Sequence, residues 1–169
     1  EVEKYPFLEE LLSEKLYEVL SKPPCMTREE LLKIYEQFIT SWHGKYRGRI
    51  SCAVSCSAPQ RVSPDYLMAL TSLSKEKDLP FNVHVLETRL QRVLGKKKFG
   101  KSLIQYLDDL GCLDERKQLI HAIWIDEDDI KRISDSGAVV AHNPISNLKI
   151  GSGVMPFRAL KRSNVPLCL

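Results

Sequence analysis

Three histidines and one glutamate carry most of the chemical interest of this 169-residue chain. His84 lies in Phe81-Asn-Val-His-Val-Leu-Glu-Thr88, an apolar run that delivers an imidazole and, three residues later, the Glu87 carboxylate. His121 and His142 end two similar runs, Gln118-Leu-Ile-His-Ala122 and Ala138-Val-Val-Ala-His-Asn-Pro144. Imidazole is the commonest metal ligand, and a carboxylate beside a metal-activated water is a natural proton shuttle. Strand positions an odd number apart face opposite sides, so His84 and Glu87 converge only if His84 sits at a strand's end and the chain bends just after it. Barrel enzymes build their sites from such strand ends and the loops that follow.

The elements that must position these groups alternate along the sequence. Phe7 to Leu20 has the apolar spacing of an amphipathic helix, closed by Pro23-Pro24. Thr27-Arg-Glu-Glu30 reads as a capping box opening a second helix through Trp42, and Gly44 to Gly48 as a basic turn. Residues 1–49 thus form a helical segment before the first clear strand. Strands are predicted over Ile50–Val54, Phe81–Val85, Leu119–Ile125, Ala138–Ala141 and from Val165 onward. Ser63-Pro64 starts a helix through Lys77. The stretch after Thr88 reads as a basic loop, Ser102–Leu110 as a helix stopped by Gly111, and Asp126 as the cap of a helix ending near Gly137. Asn143–Gly153 reads as a long loop and Met155–Arg162 as a short helix. Near-continuous apolar strands separated by helices imply an α/β protein with a parallel sheet, either open and doubly wound or one arc of a (β/α)8 barrel. No glycine-rich dinucleotide loop follows the first strand.

Composition narrows the class. Hydrophobic residues are 43% and charged residues 28%, as in a soluble globular domain, and the net charge of +3 makes no case for nucleic acid. No apolar run of membrane-spanning length occurs. Five cysteines at irregular spacings, without C-x-x-C, suit buried thiols in a reducing cytoplasm rather than a cysteine-bound zinc. Several residues have plain structural readings. His43 is expected at the surface, His142 to brace a turn, Asp126, Glu127, Asp128 and Asp129 to cap a helix, and Trp124 and Ile125 to sit in the core. Lys96-Lys97-Lys98 is expected in a solvated loop or at a helix start.

The succession HVLET, LIHAIWIDEDDI and AHNPISNLKIGSG resembles the amidohydrolase superfamily, in the branch of guanine deaminase, S-adenosylhomocysteine deaminase and the triazine chlorohydrolases. The resemblance is specific from Ile50 to Leu169. It implies a partial (β/α)8 TIM barrel covering about strands four to seven and the start of strand eight, as one partial domain. It also implies hydrolysis of a C–N bond in a heterocycle by a water activated on a divalent metal, zinc foremost. By this resemblance His84 is a metal ligand, Glu87 the proton relay, and His121 a group orienting water or substrate. Gln60, Arg61, Asn143, Ser146 and Asn147 lie in pocket-shaping loops, with Gln60, Arg61, Asn143 and Asn147 as substrate-binding candidates. The first-strand H-x-H and the eighth-strand aspartate of the family are absent. The chain is therefore read as an internal piece of a longer protein, inactive by itself, with a small-molecule heterocycle as substrate and a second copy as the expected partner. A chlorohydrolase or amidase, and a non-catalytic structural module, are the competing functions.

Overall fold

The computed structural model describes residues 10–22 and 25–169, so Phe7–Glu9 and Pro23-Pro24 of the expected first helix lie outside it. Two helices open the described chain, α1 (Glu14–Leu20) and α2 (Arg28–Trp42), followed by α3 (Lys45–Gly48), in which Tyr46 and Arg47 are left-handed. Then come β1 (Val54–Cys56), α4 (Pro64–Glu76), β2 (Phe81–Val85), α5 (Arg89–Phe99), α6 (Leu103–Asp109) and β3 (Lys117–His121). The chain continues through α7 (Glu127–Ser136), β4 (Val139–Ala141), α8 (Pro144–Lys149), α9 (Phe157–Arg162) and β5 (Leu167–Cys168). The strands form one sheet in sequence order, and every neighbouring pair is parallel.

Local chemistry accounts for the boundaries. Thr27 and Glu30 close the expected capping box, and Asp126 and Asp129 close another at the start of α7. Ser63 caps α4 ahead of Pro64, and Gly137 ends α7 in the left-handed region. Along β2, Phe81, Val83 and Val85 are buried while Asn82 and His84 are half-buried. The buried set joins Leu67 and Leu70 of α4 and Leu103, Ile104 and Leu107 of α6 in one apolar cluster. Burying a leucine fully contributes about 1.5–3 kcal/mol, so this face holds the helices to the sheet.

Several expectations are corrected. The basic stretch after Thr88 is helix α5, capped by the Thr88 hydroxyl and ended by Gly100 at φ 72°. Lys96, Lys97 and Lys98 occupy its last turn, where cations complement the helix dipole. The first strand is Val54–Cys56 rather than Ile50–Val54, and the third stops at His121 because the backbone leaves extended geometry there. Trp124 consequently lies beyond the strand, 36% exposed, with its indole N–H donated to the Ser152 carbonyl. Helix α8 interrupts the expected loop after His142, and α9 begins two residues later than expected. All five cysteines are free thiols, with Cys52, Cys56 and Cys112 buried. No helix among the described residues is long and apolar enough to cross a membrane.

Candidate active site

The site gathers at the carboxyl ends of β2 and β3. His84 is the next-to-last residue of β2, and its Nδ1 lies 2.9 Å from the Ser57 carbonyl just after β1. A carbonyl oxygen only accepts, so Nδ1 carries the ring hydrogen and Nε2 keeps a free lone pair. One residue past the strand, Leu86 takes φ 48° and turns the chain, bringing Glu87 to the rim. The Glu87 backbone N–H donates to Gln91 Oε1 at 2.9 Å, which fixes the turn against the start of α5.

His121 reaches the same place by a different route. The register pairs Val85 with His121 and His84 with Ile120. Strand alternation alone would therefore put the two imidazoles on opposite faces. Instead His121 adopts φ 79° and Ala122 φ 44°, and the rings of His84 and His121 come to 5.5 Å between centroids. Non-glycine residues in this region cost free energy and are held only where surroundings over-determine them. Here the holding bonds are visible: Ala122 N–H to Val85 O at 3.1 Å, and Ile123 and Trp124 N–H to Leu86 O at 3.1 and 2.9 Å. His121 Nε2 lies 3.4 Å from Glu87 Oε1, and its Nδ1 is 2.6 Å from Asn147 Oδ1.

Beside these groups is a hollow of about 380 Å³, lined by Ser57, Gln60, Arg61, His84, Glu87 and Leu94 among others. Arg61 donates to the Ser57 hydroxyl at 3.2 Å. Gln60 is 3% exposed, and its side-chain oxygen finds no hydrogen-bond partner among the described residues. Of the other loop candidates, Asn143 is half-buried at the start of α8, Ser146 is exposed, and Asn147 is buried against His121 rather than lining this hollow. His142 stands one strand away, 6.4 Å from the Phe157 ring, and its backbone N–H donates to the Cys168 carbonyl. His43 is exposed and accepts from the Cys52 N–H. Cys56 precedes Ser57, but burial pushes its thiol up to about 12, which leaves no thiolate for nucleophilic chemistry.

Reasoning from sequence missed two supports. The Ser57 carbonyl is backbone and carries no side-chain signal. Arg92 of α5 binds the first turn of α7 through Asp126 and, at 2.5 Å, Asp129, and also donates to the Trp124 carbonyl. Ser102 adds a hydrogen bond to Asp129. This network ties the helix after Glu87 to the helix after His121. With the stretch after Thr88 expected as a loop, the sequence offers no sign of it. No group of three or more His, Cys, Asp or Glu among the described residues is placed to hold a metal ion.

The amidohydrolase family model matches residues 11–169, nearly the whole chain. The chain belongs to the amidohydrolase family. It is 35% identical over 134 residues to 5-methylthioadenosine/S-adenosylhomocysteine deaminase 2 of Archaeoglobus fulgidus, covering 79% of this chain and 32% of that protein. It is 33% identical over 141 residues to 5'-deoxyadenosine deaminase of Methanosarcina mazei, covering 82% and 33%. A zinc-bound adenosine deaminase from Xanthomonas campestris superposes with a TM-score of 0.77 at 27% identity, over 83% of this chain and 31% of that one. The chain thus spans about a third of the length of the curated relatives it matches. Its five parallel strands are an arc of the amidohydrolase (β/α)8 barrel rather than an open doubly wound sheet.

Proposed function

We propose that the whole protein carrying this amidohydrolase chain is a metal-dependent aminohydrolase that releases ammonia from an adenosine-like heterocycle. The observation that carries this reading is the convergence of His84, Glu87 and His121 on one rim, with Glu87 and His121 in polar contact. His84 fits one coordination position, because the Ser57 carbonyl holds its Nδ1 hydrogen and leaves Nε2 free. A catalytic zinc takes about three protein ligands, so this reading assigns the others to parts of the whole protein outside this chain. When bound, a divalent metal supplies a water acidic enough to act as a nucleophile near neutral pH.

The chain's own residues do the rest. Glu87 takes one proton from the attacking water and gives it to the ring nitrogen beside the attacked carbon, and the proton left on the added hydroxyl then passes to the departing amine. The amine leaves as ammonia and the carbon keeps the water's oxygen. His121 offers Nε2 to the attacking water or to the developing charge. Leu94 and Leu90 give the hollow an apolar wall for a flat ring, and the unpartnered Gln60 oxygen accepts a hydrogen bond from a substrate donor. Loss of an amine is favoured over loss of chloride because both sequence relatives above are named as deaminases of adenosine-type nucleosides.

The test is direct. The full-length protein, with its metal content measured, is incubated with 5'-methylthioadenosine, S-adenosylhomocysteine, 5'-deoxyadenosine and adenosine, and with a chlorinated triazine as the rival substrate. Ammonia release from at least one nucleoside is expected. A metal-replete preparation that frees no ammonia from any of them, or frees only chloride from the triazine, overturns the reading.

A further inference from the structure

We infer that Gln91 is a positioning residue for Glu87: its side-chain oxygen pins the peptide that delivers the carboxylate to the rim. Only the kinetic arm of the test below rests on the proposed function. Glu87 belongs neither to β2, which ends at Val85, nor to α5, which begins at Arg89. The peptide between Leu86 and Glu87 is held at both ends instead. Its carbonyl accepts from the Ile123 and Trp124 N–H groups at 3.1 and 2.9 Å, and its N–H donates to Gln91 Oε1 at 2.9 Å. Leu86 stands at φ 48°, a left-handed position that a leucine keeps only under constraint. Rotation of this one peptide plane would swing the Glu87 side chain away from His121, whose Nε2 is 3.4 Å from Glu87 Oε1.

The start of α5 shows that this contact is more than a helix cap. Thr88-Arg-Leu-Gln91 has the spacing of a capping box, in which the third helical residue normally bonds the N–H of the capping residue itself. Glu30 does so at Thr27, at 2.7 Å, and Asp129 at Asp126, at 3.1 Å. In α5 the Thr88 hydroxyl accepts the Gln91 N–H at 3.4 Å, but the Gln91 side chain reaches one residue further back, to Glu87. The box beside the site is thus redirected from the helix to the backbone of the carboxylate. Gln91 is half-buried and lines the hollow together with Glu87. Loss of its oxygen leaves the Glu87 N–H without this acceptor and the peptide pinned at its carbonyl alone. A group that moves a proton must stay within hydrogen-bond reach of it, so turnover should suffer while the hollow still binds. A direct substrate contact from Gln91 predicts a raised KM instead, and a cap alone predicts lost stability without lost turnover.

The experiment uses the full-length protein with Gln91→Met, which fills similar volume without an oxygen, and Gln91→Glu, which keeps an oxygen at the same reach. Hydrogen exchange resolved to single amides is expected to find the wild-type Glu87 N–H protected, although it lies outside strand and helix. Protection should fall about tenfold or more in Gln91→Met and persist in Gln91→Glu. On the deaminated nucleoside, Gln91→Met should lower kcat about 10- to 100-fold, the scale of a misplacement of about 1 Å. KM should change less than about threefold, the pattern of an interaction realised in the transition state. Gln91→Glu should recover most of the loss. In a Glu87→Ala background, Gln91→Met should cost nothing further, because Gln91 acts through Glu87. An unprotected Glu87 N–H in the wild type overturns the inference by itself, even where a variant fails to fold. So does an unchanged kcat in Gln91→Met, a raised KM in its place, or the full further cost in the Glu87→Ala background. Exchange needs no substrate, so a protein that deaminates nothing defeats the proposed function while the clamp on Glu87 is judged separately.

Discussion

The two ends of the same pair of strands solve opposite problems. At the carboxyl end, β3 finishes in a buried histidine; at the amino end, it begins with a buried lysine. His121 sits where the backbone is strained, bonded on one nitrogen, and turned toward a carboxylate beside a hollow. Lys117 is fully buried, with its ammonium 4.2 Å from the Phe81 ring and 3.7 Å from Asp114, beyond hydrogen-bond length. Both ends spend stability on a buried polar group. Only the carboxyl end arranges several such groups around a shared space, in keeping with the division of barrels into a reactive face and a stabilising one. Burial of an ionisable side chain is therefore a poor marker of chemistry. Convergence with other polar groups is the better one.

Substitutions at the two ends should separate cleanly. Glu87→Gln in the full-length protein is expected to lower kcat about a thousandfold, the scale of a lost general acid–base group. Glu87 lies beyond the strand and half-buried, so the melting temperature should stay within about 2 °C of the wild type. Steady-state kinetics and a thermal melt check both. Unchanged turnover would remove the carboxyl rim from the functional argument. Arg92→Met should do the opposite, because it strips the cation from Asp129, whose side chain is only 2% exposed. Breaking a buried pair by removing one partner costs about 3–5 kcal/mol. Arg92 is itself about a quarter exposed, so the low end, near 3 kcal/mol, is expected in a denaturant titration. Gln60→Leu is a smaller effect. It removes an unpartnered oxygen, so stability should hold or rise, while KM for a donor-bearing nucleoside should increase about tenfold, as expected for one lost hydrogen bond. An unchanged KM would take Gln60 out of the binding site.

The same contrast explains what could be read in advance. Phe81–Val85 is legible to the residue because apolar periodicity and Pro80 bound it, and the Thr27 capping box and the Asp126 cap are legible because Thr and Asp act on backbone N–H groups nearby, whereas the reciprocal bond from Asp129 is not. The parallel alternation of strands and helices followed from the same signals. The geometry of the rim was not legible in the same way. Leu86, His121 and Ala122 are left-handed without being glycine, and nothing in their side chains announces it; the tertiary bonds between strand ends impose it. Resemblance put His84, Glu87 and His121 in one site, but strand parity read alone would have separated the two imidazoles. Helix α5 is hidden in the sequence because its exposed face is a run of lysines and Gly95 stands in its interior. That glycine suits a tight packing position: an added Cβ would lie 3.1 Å from the Lys101 carbonyl and 3.3 Å from Leu103. Hydrophobicity alone assigns Trp124 to the core, although its indole N–H needs a partner and finds one at the Ser152 carbonyl.

Lys117→Met gives the smallest and sharpest test of the amino end. Burial is the main influence on this amine and holds it below its usual range, while Asp114 works against that shift. The unfolded chain binds the lysine proton more readily than the folded one. Between the lowered folded value and the ordinary value near 10.5, unfolding therefore takes up a proton, and stability rises as pH rises. At neutral pH the charged amine costs desolvation without a hydrogen bond in return. Its attraction to the Phe81 ring recovers only part of that cost. Methionine fills similar volume without a charge, and Asp114 is not left alone, since Lys75 stands 3.5 Å away and the Arg116 N–H donates to its other oxygen. Replacing a buried, poorly paired ion with a matched apolar side chain should stabilise the protein by about 1 kcal/mol at pH 7. The gain should shrink as pH approaches 10.5, because the wild type then sheds the charge in both states. Melting curves of wild type and Lys117→Met at pH 7 and pH 9.5 measure this. A variant less stable than wild type at pH 7 would mean that the lysine, like the histidine at the other end of its strand, is held by partners that outweigh its burial.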